Sequence, residues 1–265
     1  MTLKPVTSPT PIEELLDIMA RLRHPGTGSP WEREQTSLSI APNMLEEAYE
    51  AVDAITRDDM TDLKGELGDV LLQVVFHSQI AREQGHFGFN EVVETISAKI
   101  KSRLPMFFSG QDVDVSTQLN KWEEVKKQER AAKGYSSVFD GIAPNLPALV
   151  RANKLQDRAV RMGFVWNSIQ AMLEKIREET AEVEEALLAD NKQHLEEELG
   201  DLLSIVSNLC YKLGIDAESA QRKANNKYER RLRFIESRLL ARGIEPASAG
   251  MDEMWKLWKE AKTAA

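Results

Sequence analysis

Two neighbouring stretches of the chain concentrate carboxylates at a spacing that could hold a metal ion. Glu178, Glu179 and Glu182 occupy the first, Glu198 and Asp201 the second. Residues three or four apart share a helix face, so Glu179 projects with Glu182 and Glu198 with Asp201. The short connection around Asp190 and Asn191 predicts an antiparallel helix pair that gathers the four acids. Like charges at that spacing destabilise a helix, and the usual remedy is a basic residue one turn downstream. Val183, Ala186, Leu202 and Ile205 stand there instead. Glu198 and Asp201 also head the apolar stripe Leu202, Ile205, Val206 and Leu209, the expected buried face. Acids facing a core need protons, hydrogen bonds or a metal. Oxygen donors without histidine or cysteine suit a hard cation such as Mg²⁺ or Mn²⁺. Such an ion works most naturally with a phosphate-bearing substrate. The bland alternative is a solvated acidic face. A di-iron centre would need two Glu-x-x-His pairs, and Glu83 with His86, split by Gly85, is the only candidate.

The helices that must carry these acids are legible from period and punctuation. Thr10-Pro11-Ile12-Glu13 combines a capping residue, a proline at the first helical position and a glutamate three after the cap. Ile12, Leu15, Leu16, Met19 and Leu22 follow at helical spacing. Further amphipathic runs cover 43–57, 61–84, 90–104, 117–132, 148–162, 168–189, 192–213, 217–242 and 252–262. Gly85 and Pro105 close two of them, and Gly163, Gly214 and Gly243 follow three others. No stretch alternates with period two, so the predicted class is all-α.

The acids recur. Glu46-Glu47-Ala48-Tyr49-Glu50 precedes Glu178-Glu179-Thr180-Ala181-Glu182 by 132 residues, and Glu66-Leu67-Gly68-Asp69 precedes Glu198-Leu199-Gly200-Asp201 by the same 132. Trp122 finds a counterpart in Trp255 at an offset of 133. A tandem repeat of one four-helix-bundle-like unit follows, with a first domain at 11–133, a linker at 134–147 and a second domain at 148–265. Gly68 and Gly200 hold one place in both repeats, inside a helix where glycine costs ~1 kcal/mol relative to alanine. Close approach of a neighbouring helix, or of a ligand, would offset that cost, and packing is the expected reason.

Composition narrows the function. Thirty-four basic against 43 acidic residues, a net charge of −9, argue against a nucleic-acid binder. One cysteine, Cys210, excludes an intrachain disulfide and favours a reducing, cytoplasmic setting. The longest apolar stretch, Val70 to Phe76, is too short to span a bilayer and contains Gln73. Pro5, Pro9 and Pro11 mark a short irregular leader with no signal-peptide core.

Glu-Glu-x-x-Glu followed about sixteen residues later by Glu-x-x-Asp resembles the signature of the MazG-like, all-α nucleoside triphosphate pyrophosphohydrolases. The likeness runs from the first helix almost to the C-terminus and includes the tandem arrangement. It implies Mg²⁺-dependent hydrolysis of nucleoside triphosphates to monophosphate and pyrophosphate by a homodimer of helical bundles, with Mn²⁺ as an alternative ion. Carried over residue by residue, it implies Glu179, Glu182, Glu198 and Asp201 as metal ligands, with Glu47, Glu50, Glu66 and Asp69 as a second set. Lys227, Arg230 and Arg231 would neutralise the triphosphate, Lys175 would add a phosphate contact, and Trp255 would stack on the base. Glu178 or Glu179 would take the proton from the attacking water. Dimeric dUTPases look similar around the acids, so one narrow substrate, dUTP or a damaged nucleotide, is the enzymatic alternative. A non-catalytic helical interaction protein is the other.

The halves are unequal in what would meet a substrate. Asn43 stands where the second half has Lys175, and Ser102 where it has Arg230. Gln73 and His77 replace Ile205 and Leu209. The second half is therefore expected to do most of the chemistry.

Overall fold

The computed structural model describes residues 9–112 and 114–263. Pro5 of the expected leader and the final residues of the expected second domain lie outside the described residues. Among the described residues there are twelve α-helices, one 3₁₀ turn and no strand, in line with the missing two-residue alternation. None of these helices is long and apolar enough to cross a membrane. The chain divides into two compact units, Met1–Gln128 and Glu129–Ala265.

The first unit carries α1 (Pro11–Leu22), α2 (Pro30–Glu34), α3 (Ser37–Arg57), α4 (Met60–Glu83), α5 (Phe89–Arg103) and α6 (Pro105–Phe108), while α7 (Val115–Ala132) runs past its end. Thr10 caps α1 as its sequence requires: the Thr10 N–H donates to the Glu13 carboxylate at 2.7 Å. The start of α3 differs from expectation. It lies at Ser37 rather than 43, because Thr36 and Ser39 exchange side-chain caps at 2.9 and 3.1 Å, and Pro42 is absorbed inside the helix. α3 and α4 form an antiparallel hairpin, and α1 lies along α4. Met19, Ile40, Val75, Phe76 and Ile80 make the buried core of that contact.

The second unit contains α8 (Ala148–Arg161), α9 (Ile169–Leu188), α10 (Lys192–Lys212), α11 (Ala217–Leu240) and α12 (Met251–Thr263). α9 and α10 repeat the hairpin, α8 packs on α10 and α11, and α12 closes onto α11. Ile235, Leu239 and Leu257 are buried there, with Met254 and Trp258 around them. The stretch 134–147 belongs to this unit as hydrogen-bonded turns. Arg130 donates to the carbonyls of Ser137 and Val138, and Asp140 accepts the N–H groups of Ser136 and Ser137.

Two glycine readings change. A methyl group added at Gly68 or Gly200 would meet nothing within 4 Å, so among the described residues no helix of the same unit packs closely against either. Gly28 is the glycine that sterics demand, because a Cβ there would overlap the Leu22 carbonyl and the His24 backbone.

One buried ion pair ties the irregular segment before α3 to the end of α4. The Arg23 side chain is 6% exposed, and its Nη2 lies 2.6 Å from Glu83 Oε2. Its Nη1 donates to the carbonyls of Glu32 and Gln35, and the guanidinium stacks over Phe76. Glu83 is thus committed to Arg23, which removes the one Glu-x-x-His candidate for a di-iron ligand. Desolvation works to raise Glu83, but the hydrogen bonds from Arg23 and Gln79 outweigh it and hold the carboxyl below its usual range. The pair therefore stabilises the fold above the usual glutamate pKa, and that contribution is lost as the pH falls through the lowered one. Arg23→Ala, which strands Glu83 and two carbonyls, is expected to cost about 3 kcal/mol in urea unfolding at neutral pH. A loss of only a few tenths would show that the pair does not anchor this segment.

Candidate metal centre

The acids are held by two hairpins with the same turn. Asp58 (φ 58°) and Asp190 (φ 52°) adopt the left-handed conformation that Asp tolerates better than most non-glycine residues. The next residue caps the following helix in each case. Asp59 accepts from the N–H groups of Thr61 and Asp62, and Asn191 from that of His194. A turn fixed at both ends sets the register of α3 on α4 and of α9 on α10, so the same acids meet in both units.

In the second unit Glu179, Glu198 and Asp201 each offer an oxygen, all within 4.8 Å of one another. Glu179 is only 5% exposed. These hard oxygen donors, converging from two helices, are the donor type a divalent cation such as Mg²⁺ takes. Glu182 lies beside this group rather than in it, and burial together with Glu179 and Glu198 raises its carboxyl against the pull of Lys175. The cluster does have a basic partner, upstream rather than downstream. Lys175 Nζ lies 2.5 Å from Glu178, 2.9 Å from Glu179 and 3.9 Å from Glu182, and the hydrogen bonds to Glu178 and Glu179 raise its pKa. Lys175, the residue that the resemblance implies as a phosphate contact, pairs with the acids in this structure. Glu178 points outward, tied to that lysine, with its side chain 59% exposed. His194 adds a contact of 3.3 Å to Glu198.

The first unit gathers Glu47, Glu66 and Asp69 within the same 4.8 Å limit, with Glu50 again beside the group. No lysine or arginine among the described residues pairs with these three acids. The consequence is electrostatic. Desolvation first, then the neighbouring carboxylates, raise both Glu47 and Glu66 above the ordinary glutamate range. Gln73 and His77, one and two turns past Asp69, each leave a buried side-chain polar atom unpartnered where the second unit places apolar residues.

The expected phosphate-facing residues lie on α11 and α12. Lys227 and Arg230 are exposed. Arg231 stacks over Trp258 at 5.2 Å, which turns its guanidinium towards an aromatic cluster. Tyr228 and Trp255 meet Trp258 edge-on at 5.5 and 6.4 Å, and Trp255 keeps 54% of its surface exposed. Trp258 is the centre of this cluster, touched by Tyr228, Arg231 and Trp255. In the first unit Arg103 stacks over Trp122 at 5.1 Å. Trp122 is therefore the structural counterpart of Trp258, not of Trp255, and an arginine on a tryptophan is the signal that aligns them.

Residues 35–108 and 167–234 match the family model described as the MazG nucleotide pyrophosphohydrolase domain. A nucleoside triphosphate pyrophosphohydrolase of Escherichia coli (strain K12) is 45% identical over 254 residues, 95% of this chain and 97% of the relative. The nucleoside triphosphate pyrophosphohydrolase/pyrophosphatase MazG of Thermotoga maritima is 40% identical over 250 residues, 94% of this chain and 95% of that protein. The crystal structure of a mazG-related protein from Thermotoga maritima covers 43% of this chain and 98% of its own, at 23% identity and a TM-score of 0.39.

The raised acids make a stability prediction with a definite sign. A carboxyl whose folded pKa lies above its unfolded one costs stability as the pH rises past the unfolded value. Without divalent ions, Glu66→Gln should therefore raise the melting temperature of the first unit's transition at pH 7 to 8. The gain should vanish as the pH falls towards the ordinary glutamate value of 4.5. Calorimetry in EDTA across that range measures it, and a destabilised variant at pH 8 would contradict the proposed repulsion.

Proposed function

This chain belongs to the MazG nucleotide pyrophosphohydrolase family, and from that premise we propose that Glu179, Glu198 and Asp201, with Glu182 beside them, hold Mg²⁺ for the reaction. The chain hydrolyses nucleoside triphosphates to the monophosphate and pyrophosphate. The observation that carries the site is the convergence of three carboxylate oxygens around the buried Glu179. When bound, the ion supplies charge neutralisation on phosphate oxygens and a more acidic water.

The chain's own groups do the rest. Lys227 and Arg230, exposed on α11, meet the triphosphate charge from outside the acid cluster. Glu178 and Glu179 are the candidates to take the proton from the attacking water, Glu178 being the one that reaches solvent. The open face of Trp255 offers a stacking surface that accepts any base, worth ~1–3 kcal/mol per base. Broad use of ribo- and deoxyribonucleotides follows, and a panel of the eight common triphosphates tests it against a single narrow substrate. The second half carries most of the turnover, because Asn43 and Ser102 leave the first half short of two cations, each worth about 1.5–3 kcal/mol in charge-assisted contacts.

Assembly follows from what the chain leaves uncovered. Leu67, Leu71, Leu199, Leu203 and Val206 are exposed on the hairpin helices that carry the open Gly68 and Gly200. A second copy is the natural cover for such apolar strips, and the protein is proposed to be a homodimer.

Two outcomes are expected. Incubation with ATP and Mg²⁺ should release AMP and pyrophosphate, EDTA or Asp201→Asn should abolish turnover with the helical content intact, and Glu182→Gln should cost far more than Glu50→Gln. ADP with orthophosphate, or activity retained in EDTA, would reject the reading, and equal losses would show one shared site. Light scattering should give twice the chain mass of 29.9 kDa at micromolar concentration. Leu203→Arg should lower it, and a monomer in the unmodified protein would refute the assembly.

A further inference from the structure

Glu179 is claimed twice. Its carboxylate belongs to the three-oxygen group with Glu198 and Asp201, and it also accepts the Lys175 ammonium at 2.9 Å. A lysine is a compact point charge on a flexible stem with three donors, able to leave one set of acceptors for another. Its stem here is anchored one turn before Glu179 on α9, and its side chain is about one-third exposed. A divalent cation on the Glu179 oxygens would bring two positive charges against that ammonium across a short gap, and like charges at such distances repel strongly.

We propose that Lys175 is a displaceable counter-ion. It holds the second-half carboxylates together in the absence of metal, leaves them when a divalent ion is bound, and is then free for a phosphate of the nucleotide. Lys175 is a positioning residue in this scheme, and the inference rests on the metal site proposed above. The first half supplies the control that the argument needs. Asn43 takes the place of Lys175 there, no lysine or arginine among the described residues pairs with Glu47, Glu66 or Asp69, and those acids stay mutually repelled. Metal entering the first half displaces no cation. Metal entering the second half does, so its binding is weakened alone and restored when a triphosphate receives the released ammonium. By linkage, nucleotide and metal then strengthen each other in the second half and do so less in the first.

The test is Mn²⁺ titration of the full chain, read as free Mn²⁺ by electron paramagnetic resonance, with and without α,β-methylene-ATP. Glu47→Gln/Glu66→Gln isolates the second site, and Glu179→Gln/Asp201→Asn isolates the first. In the second-site background, Lys175→Met should tighten Mn²⁺ about tenfold without nucleotide, a shift of 1.4 kcal/mol. It should also shrink the enhancement that the analogue gives. In the first-site background, Asn43→Lys should weaken Mn²⁺ by a similar factor, which keeps the proposal testable if Lys175→Met fails to fold. Unchanged or weaker Mn²⁺ binding in Lys175→Met, or unchanged binding in Asn43→Lys, overturns the displacement. No Mn²⁺ binding in the second-site background with Lys175 intact overturns the metal site itself, which is a different failure.

Discussion

Three carboxylates forced within 4.8 Å of each other set the terms for the rest of each unit. Isolated charges of one sign repel, and desolvating them adds to the cost, so the arrangement persists only if something else enforces it. The enforcement is backbone geometry. A left-handed Asp followed by a capping Asp or Asn locks two long helices antiparallel in one register. Around that hairpin, α1 in the first unit supplies apolar cover on α4, and α8 in the second packs on α10. The scaffold is thus a device for holding acids where they would not gather by themselves, which is what a cation-dependent site requires.

Much of this was legible because helix period and capping are local. Thr10 with Glu13, the all-α class and the repeat at 132 residues are all visible in the chain. What escaped was non-local or depended on direction. The run expected at 43–57 begins at Ser37 instead, because the reciprocal Thr36–Ser39 caps lie upstream of Pro42 and α3 runs through that proline. Arg23 and Glu83 are sixty residues apart, and no periodicity links them. Lys175 lies one turn upstream of Glu179 rather than downstream, the less favoured order for a helical ion pair, yet the contact forms at 2.9 Å.

The aromatic residues show how a repeat can mislead. Sequence offset paired Trp122 with Trp255, since 133 lies next to 132. Contact pairs it with Trp258, because each carries an arginine over its ring at 5.1 and 5.2 Å. An arginine–tryptophan stack constrains the approach of two helices, and helix approach is retained when loop lengths drift. Trp255 then has no counterpart of its own at that place in the first unit.

The two halves therefore share what builds the hairpin and differ in what neutralises it. Asp58 and Asp190 keep the turn, Asp59 and Asn191 keep the cap, and the acids are the same. Lys175 and His194 contact acids only in the second half. In the first half the buried atoms of Gln73 and His77 add polarity rather than charge, and desolvation lowers the His77 pKa, keeping that ring neutral. A site with a resident ammonium is assembled before its metal arrives, whereas a site without one relies on protons or metal for relief. Duplication lets one chain hold both kinds. Under the proposed displacement, the half that lacks the cation binds metal tightly with little nucleotide coupling, and the half that has it gains coupling at the expense of metal affinity alone.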